Sequence, residues 1–212
     1  MHRIAIIGKM CSGKSLTSRH LANYGFTQVA LAKPIKYVSE VLLDSVNGEE
    51  ASYTYLKDLC GGVIEDSELI VRTILKDTKS LPYTPPKSRE RQQHLGTEFR
   101  KYVDDEIWIE ALTGTLCNSK EKVPYILDDC RFLNEFTLLR EKYFSFIKLI
   151  VDQDIQIKRI KKLYGEFNPK ILEHPSELDV DKMEIPEDHC VDANLPADEM
   201  LVNIEKILKL RT

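Results

Sequence analysis

The chain has 212 residues, 42% of them apolar, and a formal net charge of −4. That length can bury one sizeable core without a second domain. The acidic balance excludes a protein held broadly on nucleic acid by phosphate neutralisation, so no stable nucleic-acid partner is expected. Five cysteines (Cys11, Cys60, Cys117, Cys130, Cys190) stand far apart with no C-x-x-C pair, which argues against a cysteine metal site and for reduced thiols in a cytoplasmic protein.

Residues 3–7 contain the apolar run Ile4-Ala5-Ile6-Ile7 and read as a first, buried strand. The strand starts so early that it leaves no room for a signal peptide. No apolar run approaches the roughly 18–20 residues of a membrane span, so no membrane partner is expected. Gly8-Lys9-Met10-Cys11-Ser12-Gly13-Lys14-Ser15 follows, matching G-x-x-x-x-G-K-[ST] between a strand and a helical stretch. Gly8 and Gly13 let the backbone curl so that successive N–H groups, with those of Lys9, Cys11, Ser12 and Leu16, make an anion cradle at a helix N-terminus. Lys14 can reach the terminal phosphates, and the Ser15 hydroxyl can ligate Mg²⁺. The pattern predicts nucleoside triphosphate binding.

The helix behind this loop is expected over 14–24, stopped by Gly25, and a second strand over 26–32. A long, mostly helical interval covers 34–118, broken at Gly61-Gly62 and at Pro82 to Pro86. Tyr125-Ile126-Leu127 then reads as a strand running into Asp128 and Asp129. A helix over 135–142, a strand over 146–151 and a basic helix over 153–163 come next. A polar, Pro-interrupted and mobile stretch is expected over 170–187, then a short strand at 190–191 and an amphipathic helix over 197–210. Strands alternating with helices imply a parallel sheet in a three-layer α/β/α arrangement, with ligands beyond the carboxyl ends of the strands.

On that rim, Asp128 or Asp129 can hold Mg²⁺ opposite Ser15. Asp128 can instead cap the following helix. Arg131 suits bidentate phosphate binding, and Arg159, on the helix after the fourth strand, can reach a transferring phosphate in the manner of a cis arginine finger. Lys33 lies just past the second strand. Gln93 and Thr97 share one helical face by their i, i+4 spacing and can read base edges or sugar hydroxyls, with Arg100 on the same segment. Trp108 reads as core. No N-K-x-D word occurs, which weakens a GTPase-switch reading.

The phosphate loop, Leu31-Ala32-Lys33-Pro34-Ile35-Lys36, Gln92-Gln93-His94-Leu95-Gly96-Thr97-Glu98-Phe99-Arg100 with Trp108, Asp128-Asp129-Cys130-Arg131-Phe132-Leu133-Asn134-Glu135, and His174-Pro175-Ser176-Glu177 occur in that order. Together they resemble the bacteriophage deoxynucleoside monophosphate kinases, whose words run G-x-x-x-S-G-K, fA-x-P-(L/I)-K, LQ-x-x-GTE-x-x-R…W, D-x-RF-x-NE and H-x-SE. The chain departs at Asp128, where a Ser is common. The tract 46–79 and the final helix match no word.

The resemblance implies a P-loop NTPase fold of the nucleoside monophosphate kinase kind. It would comprise a core over about 1–33 and 119–212, a helical acceptor-binding insert over about 34–118 and a lid over about 153–182. It implies an ATP- and Mg²⁺-dependent transfer of the γ-phosphate to a deoxynucleoside monophosphate in the host cytoplasm. Lys14, Arg131 and Arg159 would act in transfer, and Lys33, Gln93, Thr97, Arg100, Asp129 and Arg131 would hold the acceptor. A homodimer is a further implication that no interface pattern in the sequence supports. Two other readings stay open: another small-molecule kinase of this fold, such as a dephospho-coenzyme A or phosphomevalonate kinase, and a non-catalytic ATP-binding regulatory module.

Overall fold

The computed structural model describes residues 3–44, 46–83, 89–118 and 123–210. In chain order the elements are β1 (Arg3–Gly8), α1 (Lys14–Ala22), β2 (Thr27–Val29), α2 (Lys33–Val41), α3 (Gly48–Cys60), α4 (Gly62–Asp66), α5 (Glu68–Ser80), α6 (Arg89–Tyr102) and α7 (Ile107–Asn118). They continue as β3 (Tyr125–Leu127), α8 (Leu133–Glu141), β4 (Ser145–Ile150), α9 (Gln153–Tyr164), α10 (Pro175–Lys182), β5 (Cys190–Asp192) and α11 (Ala197–Ile207), with 3-10 turns at Pro169–Ile171 and Glu187–His189. They divide into two compact units, one of residues 1–29 and 122–212, the other of residues 30–121.

The first unit is built on a parallel sheet of order β2-β3-β1-β4-β5. β1 lies at its centre, with Ala5 opposite Leu127 on β3 and Phe146 on β4. Ile4, Ala5, Ile6 and Ile7 are all buried, because a central parallel strand is covered on both faces. Ile4 and Ile6 share one core cluster with Leu21 of α1 and with Met200 and Ile204 of α11. The other face carries α8, whose Phe136 ring packs against Phe146 at a 58° tilt with centroids 4.6 Å apart. The expected three-layer α/β/α architecture is therefore present. The reversal of direction between the β1–β2 and β3–β4 crossovers leaves a crevice at the carboxyl end of β1, where the phosphate loop begins.

The second unit has, among the described residues, six helices around Leu56, Leu75, Leu95, Phe99 and Trp108. Trp108 is core, as expected: it is 1% exposed, its ring lies 5.3 Å from that of Phe99, and its Nε1–H donates to the Gly96 carbonyl at 3.3 Å. α3 and α7 pack at close range through Gly114, where any Cβ would collide with the Leu59 carbonyl oxygen. α3 stops at Gly61, which sits at φ 55°, a conformation glycine takes without penalty.

One expectation needs correction, and a second segment gains detail. The second strand covers only Thr27–Val29, since beyond it the chain turns at Ala30 to start α2. The stretch over 170–187 contains α10, with Ser176, Glu177 and Val180 buried. Glu177 is internal because it accepts the Met10 N–H of the loop after β1, a pairing that a hydrophobicity pattern cannot register. Of the expected break at Pro82 to Pro86, residues 84–88 lie outside the described residues.

Candidate phosphate-binding site

The loop between β1 and α1 owes its shape to its glycines. A Cβ on Gly8 would stand 2.6 Å from Ser12 Oγ and 2.9 Å from the Leu149 carbonyl oxygen, so no other residue fits the crossing with β4. Gly13, at φ 106°, turns the chain directly into α1. Between them Cys11 holds φ 60°, an uncommon conformation for a side-chain-bearing residue. The Ser12 hydroxyl is fully buried and has no hydrogen-bond partner among the described residues.

Lys14 is the first residue of α1 and is only 8% exposed. Its Nζ donates to the Gly8 carbonyl at 2.5 Å and to the Lys9 carbonyl at 2.7 Å, which fixes the ammonium inside the loop. Burial lowers its pKa to about 8, the nearby Arg131 guanidinium adds to the fall, and the Glu177 and Asp128 carboxylates oppose it. At neutral pH the group is still mostly charged. Burial likewise raises the Cys11 and Cys130 thiols, which makes them poor nucleophiles.

A cleft of about 540 Å³ opens against this loop, lined by Lys14, Ser15, Asp128, Arg131 and Arg159. Lys162 and the exposed apolar side chains of Leu163 and Tyr164, at the end of α9, form its other wall. Asp128, rather than Asp129, lines the cleft; it follows β3 and accepts the Gln28 side-chain amide at 3.3 Å. The bend that carries Arg131 is held by Glu135, whose Oε2 accepts the Arg131 and Phe132 backbone N–H groups at 2.9 and 3.2 Å. Arg131 itself is exposed to the cleft. Arg159 donates from Nη1 to the Cys11 carbonyl at 3.3 Å and from Nη2 to the Ala193 carbonyl at 2.8 Å, so it braces the loop against the turn after β5. Among the described residues no group of three or more His, Cys, Asp or Glu could hold a metal by itself. No helix among them is long and apolar enough to cross a membrane.

The other expected site residues belong to the second unit. Lys33 begins α2 and is exposed. Gln93 and Thr97 are exposed on α6, and Arg100 follows at i+7 on the same stripe, half-buried, with Nη1 3.5 Å from the Gly96 carbonyl. The sequence places Glu177 in the word His174-Pro175-Ser176-Glu177 without a role of its own. In the structure it is a buried carboxylate bonded to the phosphate loop. Its sequence signal was its place in that word, which reveals neither the burial nor the partner.

No protein-family model matches the sequence, and neither does any curated protein. Among solved structures, TT1252 from Thermus thermophilus aligns over 100% of this chain and 98% of its own, with 17% identity and a TM-score of 0.53. A gluconokinase from Sinorhizobium meliloti 1021 aligns over 98% and 91%, with 18% identity and a TM-score of 0.47. A sugar kinase from Janibacter sp. HTCC2649 aligns over 99% and 95%, with 13% identity and a TM-score of 0.47. The likeness to TT1252 extends the whole length of the chain, and what the two proteins share is a fold.

Proposed function

We propose that this protein is an ATP-dependent kinase that transfers the γ-phosphate to a deoxynucleoside monophosphate, giving a deoxynucleoside diphosphate and ADP. The observation that carries this reading is the convergence of Lys14, Ser15, Asp128 and Arg131 on one cleft at the carboxyl end of β1. Phosphoryl transfer needs positioning and charge neutralisation far more than a covalent nucleophile, and a phosphate cradle with converging cations supplies both. The loop N–H groups and Lys14 take the donor phosphates. Arg131, which lines the same cleft as Lys14 and is open to it, takes charge that builds on the transferring group. The acceptor phosphate attacks as an anion near neutral pH, so no side chain has to remove a proton. The hard oxygen ligands Ser15 and Asp128 suit Mg²⁺ shared with ATP phosphates. That ion would neutralise charge on the phosphates. Gln93, Thr97 and Arg100 on α6, with Lys33, are the residues we assign to the deoxynucleotide, and the ordered sequence words support that assignment.

An ADP-release assay with Mg²⁺ and ATP across a panel of NMPs, dNMPs, 5-hydroxymethylated pyrimidine nucleotides and dephospho-coenzyme A tests the reading. ADP formation confined to particular deoxynucleotides is the expected result. ADP formation only with dephospho-coenzyme A would reassign the acceptor. ATP binding without turnover on any acceptor would favour a regulatory module.

A further inference from the structure

One buried carboxylate outside the cleft touches the phosphate loop itself. Glu177 on α10 is 5% exposed, and its oxygens accept the Met10 backbone N–H at 3.1 and 2.9 Å. Its Oε2 also accepts the side-chain amide of Gln156 on α9 at 2.9 Å, and Gln156 is 1% exposed. A buried carboxylate is tolerated only where its hydrogen bonds are made. Here both donors belong to the nucleotide side of the fold.

The helix that delivers Glu177 is itself well anchored. Pro175 stands at its first turn, His174 Nδ1 accepts the Ser176 N–H at 3.2 Å, and Val180 and Met183 are buried beneath it. One turn beyond Glu177, Asp181 pairs with Lys9 Nζ at 2.9 Å. That pair is solvent-exposed and contributes little by itself, but it joins the same helix to the loop residue preceding Met10. The loop needs such support, because Cys11, next after Met10, is held at φ 60°. On its other side the loop is tied by Arg159 to the Cys11 carbonyl.

We infer that Glu177 is a positioning residue, which holds the phosphate loop in its phosphate-receiving shape through the Met10 N–H. The loop-shape role stands on these hydrogen bonds; its consequence for ATP rests on the proposed function. Reach matters more than charge in this role. A glutamine keeps a carbonyl oxygen for the Met10 N–H, whereas an aspartate keeps the charge but draws its oxygens back by one methylene.

Full-length Glu177→Gln, Glu177→Asp and Glu177→Ala proteins test this by amide hydrogen exchange at residues 9–12 without nucleotide, alongside ATP titration and steady-state kinetics. Aspartate and alanine are expected to speed loop exchange by about tenfold or more while leaving β1 and β4 protected. They should raise KM for ATP by a similar factor with a smaller change in kcat, and glutamine should restore most of both. If the alanine protein does not fold, the aspartate–glutamine contrast decides. Wild-type loop exchange in the aspartate protein, or exchange that rises evenly through the chain, would overturn the inference. Loop exchange that rises as expected in a protein that never binds ATP would leave this inference standing and sink the kinase reading instead.

Discussion

In the sheet unit the groups that shape the loop are tied to other parts of the fold, Lys14 to two carbonyls, Arg159 to two more and Glu177 to the Met10 N–H, while Ser15 and Arg131 stay open to the cleft. In the helical unit the candidates are surface side chains, with Gln93 and Thr97 exposed on α6 above a packed core of Leu95, Phe99 and Trp108. On the proposed function the difference follows from what each unit would recognise. Triphosphate geometry is the same in every nucleotide, so a backbone cradle fixed by strand crossings and glycines can be rigid. An acceptor is recognised by groups that differ between acceptors, and side chains on a helix face can be exchanged without disturbing the core beneath. Substitutions in the first unit should therefore act on all acceptors alike, and substitutions on the α6 stripe should change the ratio between acceptors.

The largest effect is expected from Lys14→Ala, which should cut ADP formation by more than about a hundredfold with every acceptor; turnover surviving this change would break the contrast. Gly8→Ala should be comparably damaging, because its Cβ would strike the Leu149 carbonyl as well as Ser12, and loss of ATP binding in a protein that keeps its far-UV CD spectrum would confirm the local cause. Arg131→Ala should lower kcat by about ten- to a hundredfold, read in single-turnover kinetics. Gln93→Ala and Thr97→Ala should leave ATP affinity untouched and change acceptor KM by about three- to tenfold, unequally across bases; an equal effect on all acceptors would erase the distinction between the units.

A last effect, confined to alkaline solution, concerns pH. Phosphates raise the pKa of Lys14, which in the free protein is held at about 8, below the ordinary lysine value of 10.5. Below pH 8 both free and bound protein carry the ammonium, and affinity is flat. Above pH 8 the free protein loses the proton and must regain it to bind, so ATP affinity should fall by up to about tenfold per pH unit. Titration calorimetry between pH 7 and 10 reads this directly.

Much of the sheet unit was legible in the sequence, since a central parallel strand is a continuous apolar run and a phosphate loop is a fixed pattern of glycines. The sequence could not choose between Asp128 and Asp129, because adjacent residues after a strand point different ways and only the fold places Asp128 in the cleft. Arg159 was visible as a cation, but its two carbonyl partners come from segments 148 and 34 positions away. Glu177 was hidden for the same reason: its polarity suggested solvent, and its partner Met10 lies 167 positions earlier. In the helical unit, i, i+4 spacing gave the α6 stripe, whereas the Gly114–Leu59 contact that packs α3 on α7 left no local mark.

The most direct test of the account is ³¹P NMR of ATP, Mg²⁺ and a deoxynucleoside monophosphate with the wild-type protein and with Lys14→Ala. The account predicts ADP and deoxynucleoside diphosphate resonances growing together in equal amounts with the wild type, and neither with the variant. ATP that is consumed to inorganic phosphate, or left intact with every deoxynucleotide, would contradict it.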